Sequence, residues 1–137
     1  MSLNIKNLQT YQAGRGTAKT NFTDRGIRKI NAGSRVDAIV INGDLFGGDG
    51  GTPARKEDLV LNKDEFISRM VITHGEEVNS IEITTNEGRS LKGGDDEKGG
   101  GHKTTLTGTI VALGGNFGDR LDRLNVLGEM YVHNEEH

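Results

Sequence analysis

Three short segments of this chain place a carboxylate or an amide four residues after a glycine: Gly33-Ser34-Arg35-Val36-Asp37, Gly75-Glu76-Glu77-Val78-Asn79 and Gly118-Asp119-Arg120-Leu121-Asp122. The likeness continues downstream. Counting from each glycine, Ile39, Ile81 or Leu124 stands sixth and Ile41, Ile83 or Val126 stands eighth. Glycine-rich runs follow the first two copies, Phe46 to Pro53 and Gly93 to Gly101, and a thinner one, Gly14-Arg15-Gly16, lies near the start. An ionised carboxylate is an acceptor with room for two donors, and glycine-rich backbone leaves its N–H groups bare for an approaching partner. That combination suits binding. Catalysis finds less support, because no nucleophile and base can be paired by spacing. The chain has no cysteine, so thiolate metal sites and a cysteine nucleophile are excluded. His74, His102, His133 and His137 lack ligand spacing, and Asp95-Asp96-Glu97 lacks the spacing and turn glycine of a calcium loop. Gly14 to Thr20 has the wrong glycine spacing for a phosphate loop. No enzyme, cofactor or metal site is therefore expected. Asp37 and Asp122 also admit a plainer role, a short polar side chain bonded to its own turn, and Asn79 fits that role best.

The elements that must carry these segments follow from the repeat. Successive glycines lie 42 and 43 residues apart, and self-similarity at a nearly fixed period marks an architecture of three copies of one unit. At 137 residues the chain makes one domain. Its 32% hydrophobic content, 4% aromatic content and 21 glycines are too glycine-rich for a helical bundle. The Val/Ile alternations argue for order, so an all-β domain with many turns is expected. The net charge of −3 and the absence of a basic stripe argue against nucleic acid. Nowhere do eighteen apolar residues run together, so no membrane span is expected, and residues 1–10 show no signal-type apolar run. A cytoplasmic address is the default, with an extracellular one if a leader has been removed.

In chain order, Ile5 to Phe22 reads as two strands around Gly14-Arg15-Gly16. Val36, Ile39 and Ile41 form a strand ending at the hairpin dipeptide Asn42-Gly43. In the second copy Ile81 and Ile83 lie on a strand that turns at Asn86-Glu87-Gly88, and in the third the strand closes near Tyr131. Each apolar strand pair is followed by a glycine run except the last, for which only the N-terminal glycines remain. The chain then closes as a ring, its first strands completing the last unit. About twelve short strands fit the turn spacing. Residues 1–10 are read as a partly flexible segment, 11–132 as the domain and 133–137 as a frayed tail.

The repeat and glycine segments resemble the jacalin-related lectins, over roughly Tyr11 to Tyr131. The similarity is strongest in Val36-Asp37-Ala38-Ile39, Phe46 to Gly51, Asp64-Glu65-Phe66-Ile67 and Gly118 to Asp122, and its organisation is most similar to griffithsin-type and banana-lectin-type members. The resemblance implies a β-prism of three four-stranded Greek-key sheets with pseudo-threefold symmetry. It also implies a mannose- or glucose-type sugar held between each G-x-x-x-D segment and the next glycine loop. Vicinal sugar hydroxyls donate in pairs to a carboxylate while loop N–H groups donate to the same oxygens. Carried over, Asp122 accepts from the sugar, Asp119 and Arg120 donate backbone N–H groups, and Gly16 closes the site that Gly118 and Leu121 frame. In the first copy Asp37 accepts, Ser34 and Arg35 donate, and Gly51 closes a site framed by Gly33 and Val36.

The chain departs from that pattern in two places. Asn79 replaces the acceptor acid in the second copy, so the site of Gly75, Asn79 and Gly99 is expected to be degenerate. Arg35 and Arg120 stand where strong mannose binders of the family often carry an aromatic or apolar residue, which implies weaker stacking or a preference for acidic or extended glycans. The partners expected are branched or multivalent glycans, and a homodimer is compatible with the sequence. The alternative is a prism that serves as a structural or protein-interaction module and has lost sugar binding.

Overall fold

The computed structural model describes residues 9–13, 20–24, 27, 29–32, 38–42, 44–47, 59–75, 78–94, 102–117 and 121–136. The regular elements among them are eleven strands: β1 (Gln9–Ala13), β2 (Thr20–Asp24), β3 (Lys29–Ala32), β4 (Ala38–Ile41), β5 (Asp44–Gly47), β6 (Leu59–Val60), β7 (Ile67–His74), β8 (Val78–Thr85), β9 (Ser90–Gly94), β10 (His102–Phe117) and β11 (Leu121–Glu136). The period-two pattern explains them. In β8, Ile81, Ile83 and Thr85 are buried while Glu82 and Thr84 between them are half-exposed, as alternate Cβ directions require.

All pairings are antiparallel and resolve into three Greek keys, each with three successive strands and a fourth lying beside the first. One key has the order β5-β4-β3-β6, and another the order β9-β8-β7-β10. The third joins the chain ends: β10 and β11 are flanked by β2 and β1, with Phe117 opposite Thr20 and Ala13 opposite Leu124. The ring closure expected from the repeat is thus the observed topology. The short turns also agree. Ile41 faces Asp44 across Asn42-Gly43, where Asn42 takes φ 53°, and the β8–β9 turn puts Gly88 at φ 83° with its N–H on the Thr85 carbonyl at 3.0 Å.

The strand count differs from the expected dozen short strands because β10 runs sixteen residues and serves two keys. The first part of β10 pairs with β7 (His102 opposite His74), and its last part pairs with β2 (Leu113 opposite Asp24). Gly108 and Gly115 both sit inside the β10–β11 ribbon at φ 145° and 150°. A Cβ on either would lie within 2.1 Å of a carbonyl oxygen of β11, so glycine is what lets the two backbones cross so closely. β11 continues to Glu136, opposite His102, so residues 133–136 are strand.

One apolar cluster joins the keys. Ala13, Leu113, Leu124 and Val126 come from the ring-closing key, Ile30, Ile41 and Leu59 from β3–β6, and Met70, Ile72, Ile81, Ile83 and Leu91 from β7–β9. The eighth residue of each repeat, Ile41, Ile83 and Val126, is fully buried. At the end of the β7–β9 sheet remote from the repeat segment, Glu65 fastens the chain. Its carboxylate accepts from the Asn62 N–H at 2.7 Å, the Thr85 hydroxyl at 2.6 Å and Arg89 Nε at 2.9 Å, and Arg89 also donates to the Val60 carbonyl. The Arg89 hydrogen bonds outweigh burial and, with those from Thr85 and Asn62, bring the Glu65 carboxyl down to about 2.

Candidate functional site

Each G-x-x-x-D/N segment is the connection between the first two strands of a Greek key: β3 to β4, β7 to β8, and β10 to β11. Each glycine-rich run joins the third strand to the fourth: β5 to β6, β9 to β10, and β1 to β2. The registers place both at the same end of their sheet. In the β7–β10 key, His74 faces Val78 on one side and His102 on the other, and Ser80 faces Gly94. In the ring-closing key Phe117 faces both Leu121 and Thr20, and in the first key Ala38 faces Gly47. Both connections therefore leave the same end of each sheet.

The acceptor position has a local structural cause. Pairing runs Ile72 with Ile81 and Thr73 with Ser80, then jumps to His74 with Val78, leaving Asn79 as the extra residue of a β-bulge. In β10–β11 it runs Gly115 with Leu124 and Asn116 with Arg123, then jumps to Phe117 with Leu121, leaving Asp122 in the same place. A bulge turns one side chain out of the pleat and bends the strand, which is how a sheet end re-aims a polar group. The first copy is built differently upstream: residues 33–38 separate the pair Ala32–Ile39, against residues 73–80 for Ile72–Ile81 and 116–123 for Gly115–Leu124. Its connection is two residues shorter.

Of the residues singled out in sequence, Gly75 and Asn79 are half-buried at the end of the β7–β8 hairpin, and Leu121 and Asp122 open β11. Gly16, Gly33, Ser34, Arg35, Val36, Asp37, Gly51, Gly99, Gly118, Asp119 and Arg120 lie outside the described residues.

A polar group that the sequence did not single out lies under the second copy. The Tyr11 hydroxyl is 2.8 Å from His74 Nε2 and 2.8 Å from Thr104 Oγ1, and Thr104 donates to Asn134 Oδ1 at 2.7 Å. Tyr11 sits edge-on to the His74 ring at a centroid distance of 5.8 Å. Burial first, and then the neighbouring charge of His102, hold the His74 imidazole below the usual histidine value. The four side chains come from β1, β7, β10 and β11, so only the assembled ring brings them together. Among the described residues no three His, Cys, Asp or Glu side chains are grouped to hold a metal ion.

Residues 9–127 match the model of the jacalin-like lectin domain. Griffithsin of Griffithsia sp. (strain Q66D336) is 30% identical over 123 residues, covering 89% of this chain and 98% of griffithsin. Among solved structures, wild-type Malaysian banana lectin superposes with a TM-score of 0.64 at 21% identity, covering 91% of this chain and 96% of that one. Artocarpin in its mannopentose complex gives a TM-score of 0.60 at 22% identity, covering 90% and 99%.

Proposed function

The chain belongs to the jacalin-like lectin family, and on that premise we propose that it is a non-enzymatic lectin for mannose- or glucose-type glycans. The observation that carries the reading is the repeated juxtaposition at the sheet ends: an acceptor segment and a glycine-rich run leave the same end of each Greek key. Griffithsin-level identity over nearly the whole chain and the artocarpin–mannopentose complex support the sugar class. Asp122, set at a bulge, accepts from a pair of vicinal hydroxyls, with Gly118, Asp119, Arg120 and Leu121 around it and Gly16 closing over the ligand. Asp37 acts likewise with Gly33, Ser34, Arg35, Val36 and Gly51. Asn79, with Gly75 and Gly99, offers a neutral amide in place of a charged acceptor and contributes little to neutral sugars.

Retention on mannose-agarose tests the proposal. Wild-type protein is expected to be retained and eluted by methyl mannoside, each of Asp37→Ala and Asp122→Ala to elute earlier, and the double variant to flow through. A double variant that binds as the wild type does would move the sites elsewhere.

A further inference from the structure

The outward face of the β7–β10 key carries a hollow that the repeat segments do not use. Arg69, Val71 and Thr73 of β7, Ser80 and Glu82 of β8, Lys92 of β9 and Lys103 of β10 line a cavity of about 90 Å³. Met70 and Ile72 alternate with the β7 residues and are buried in the core, so the hollow opens on the opposite side of the sheet. Among the described residues its lining holds three cations, Arg69, Lys92 and Lys103, and one carboxylate, Glu82. The cations come from three strands, and Arg69 meets Glu82 at 3.5 Å. Thr73 and Ser80, each less than 5% exposed, add hydroxyls to the lining. A solvated charged face is the ordinary fate of lysine and arginine on a sheet. Here their convergence around buried hydroxyls makes a seat with room for one small group.

Its place in the fold gives it meaning. Thr73 and Ser80 are the last regular pair before the Asn79 bulge, and Lys103 pairs with Thr73 from the other side. The hollow therefore adjoins the one repeat in which the acceptor carboxylate is replaced by an amide. A carboxylate at that position would repel an anion seated here, and Asn79 does not.

We infer that this hollow binds an oxyanion, a carboxylate or a sulfate ester, carried by an acidic glycan. Lysine ammonium groups and hydroxyls donate to the oxyanion through charge-assisted hydrogen bonds, and the second key thereby takes a ligand class different from that of the keys bearing Asp37 and Asp122. The glycan as carrier rests on the lectin reading, whereas the oxyanion seat stands on the lining residues alone.

The test is amide chemical-shift titration of the full chain with four probes: trigalacturonate, a sulfated galactan tetrasaccharide, neutral mannotriose and sodium sulfate. The expected result is that at least one acidic oligosaccharide shifts the amides of Thr73, Ser80, Lys92 and Lys103, and that mannotriose leaves them still while shifting others. The Lys92→Ala/Lys103→Ala variant is expected to bind the acidic probe at least tenfold more weakly and mannotriose as before. Should that variant lose its dispersed spectrum, Lys103→Gln alone is expected to weaken the acidic probe about threefold. Acidic oligosaccharides that leave these amides unmoved, or variants that bind them unchanged, overturn the inference. Shifts with sulfate ion alone overturn the glycan assignment. Mannotriose silent at every amide would sink the neutral-sugar reading without touching this one.

Discussion

Glu65 and His74 show how two buried ionisable side chains divide the acid response of this fold. The folded Glu65 carboxyl lies at about 2 against an ordinary 4.5, so the unfolded chain takes up the proton first. Its stabilisation is complete above 4.5 and drains away as pH falls from 4.5 toward 2. His74 is also depressed, so its contribution is present above 6.5 and is lost as pH falls below that value toward the lower folded one. Urea unfolding from pH 8 to 3 is expected to show two descending limbs. A neutral His74→Asn variant should flatten the upper limb, and Glu65→Gln the lower one. Glu65→Gln should also cost about 1–3 kcal/mol at pH 7, since it removes the buried charged acceptor shared by Asn62, Thr85 and Arg89. A loss below about 1 kcal/mol would mean that the anchor is dispensable. Neither role could be read in sequence. Glu65 was visible only within the family-like Asp64-Glu65-Phe66-Ile67 segment, and His74 meets Tyr11 across a separation of 63 residues, which no local pattern encodes. The positions of Asp37, Asn79 and Asp122 were legible as a repeat because each copy places them at a fixed offset from its glycine.

At the level of elements, the sequence pattern carries the strands of each hairpin and the turns between them, because alternation and Asn-Gly or Asn-x-Gly chemistry are local. It does not carry the bulges. In sequence Asn79 and Asp122 are marked only by their offset from a glycine, and it is the register that shows each as the extra residue opposite a tighter partner. Nor does it distinguish a glycine that ends a strand from one that lets two strands touch. Gly108, Gly115 and Gly128 are of the second kind: an added Cβ would lie 2.1 Å from the Glu129 carbonyl oxygen, 1.9 Å from that of Arg123 and 2.3 Å from that of Thr109. Backbone cannot yield at such distances without opening the ribbon that joins two keys. Gly115→Ala and Gly108→Ala, which add a strained φ to the clash, are each expected to cost about 2–4 kcal/mol, measured by chemical denaturation. Gly75→Ala, with open space around its would-be Cβ, is expected to change stability by less than about 0.5 kcal/mol and serves as the control. Equal losses at Gly75 and Gly115 would refute the close-approach account.

For the whole molecule, the threefold plan sets how strongly the lectin holds its ligand. The ring-closing key could be foreseen because two of three glycine runs follow their repeat in sequence and the third has only the N-terminal run left to use; β1 on β11 and β2 on β10 are that closure. One molecule then carries two carboxylate-bearing segments on separate keys. A single such site gains a few charge-assisted hydrogen bonds, each worth roughly 1.5–3 kcal/mol net, and must offset the cost of fixing the ligand. With arginine at positions 35 and 120 there is no aromatic platform to add apolar burial at either segment. Dissociation constants of about 0.1–10 mM per site are expected, equivalent to roughly 3–5 kcal/mol. A branched glycan that reaches two sites converts the second contact into an intramolecular one, and its apparent affinity is expected to rise by about 10²–10⁴. Calorimetry with methyl mannoside and with a branched oligomannose separates the cases. If the wild type binds both with equal affinity per sugar, the sites act independently. If the gain is present in the wild type and absent from both Asp37→Ala and Asp122→Ala, the two keys act together on one ligand.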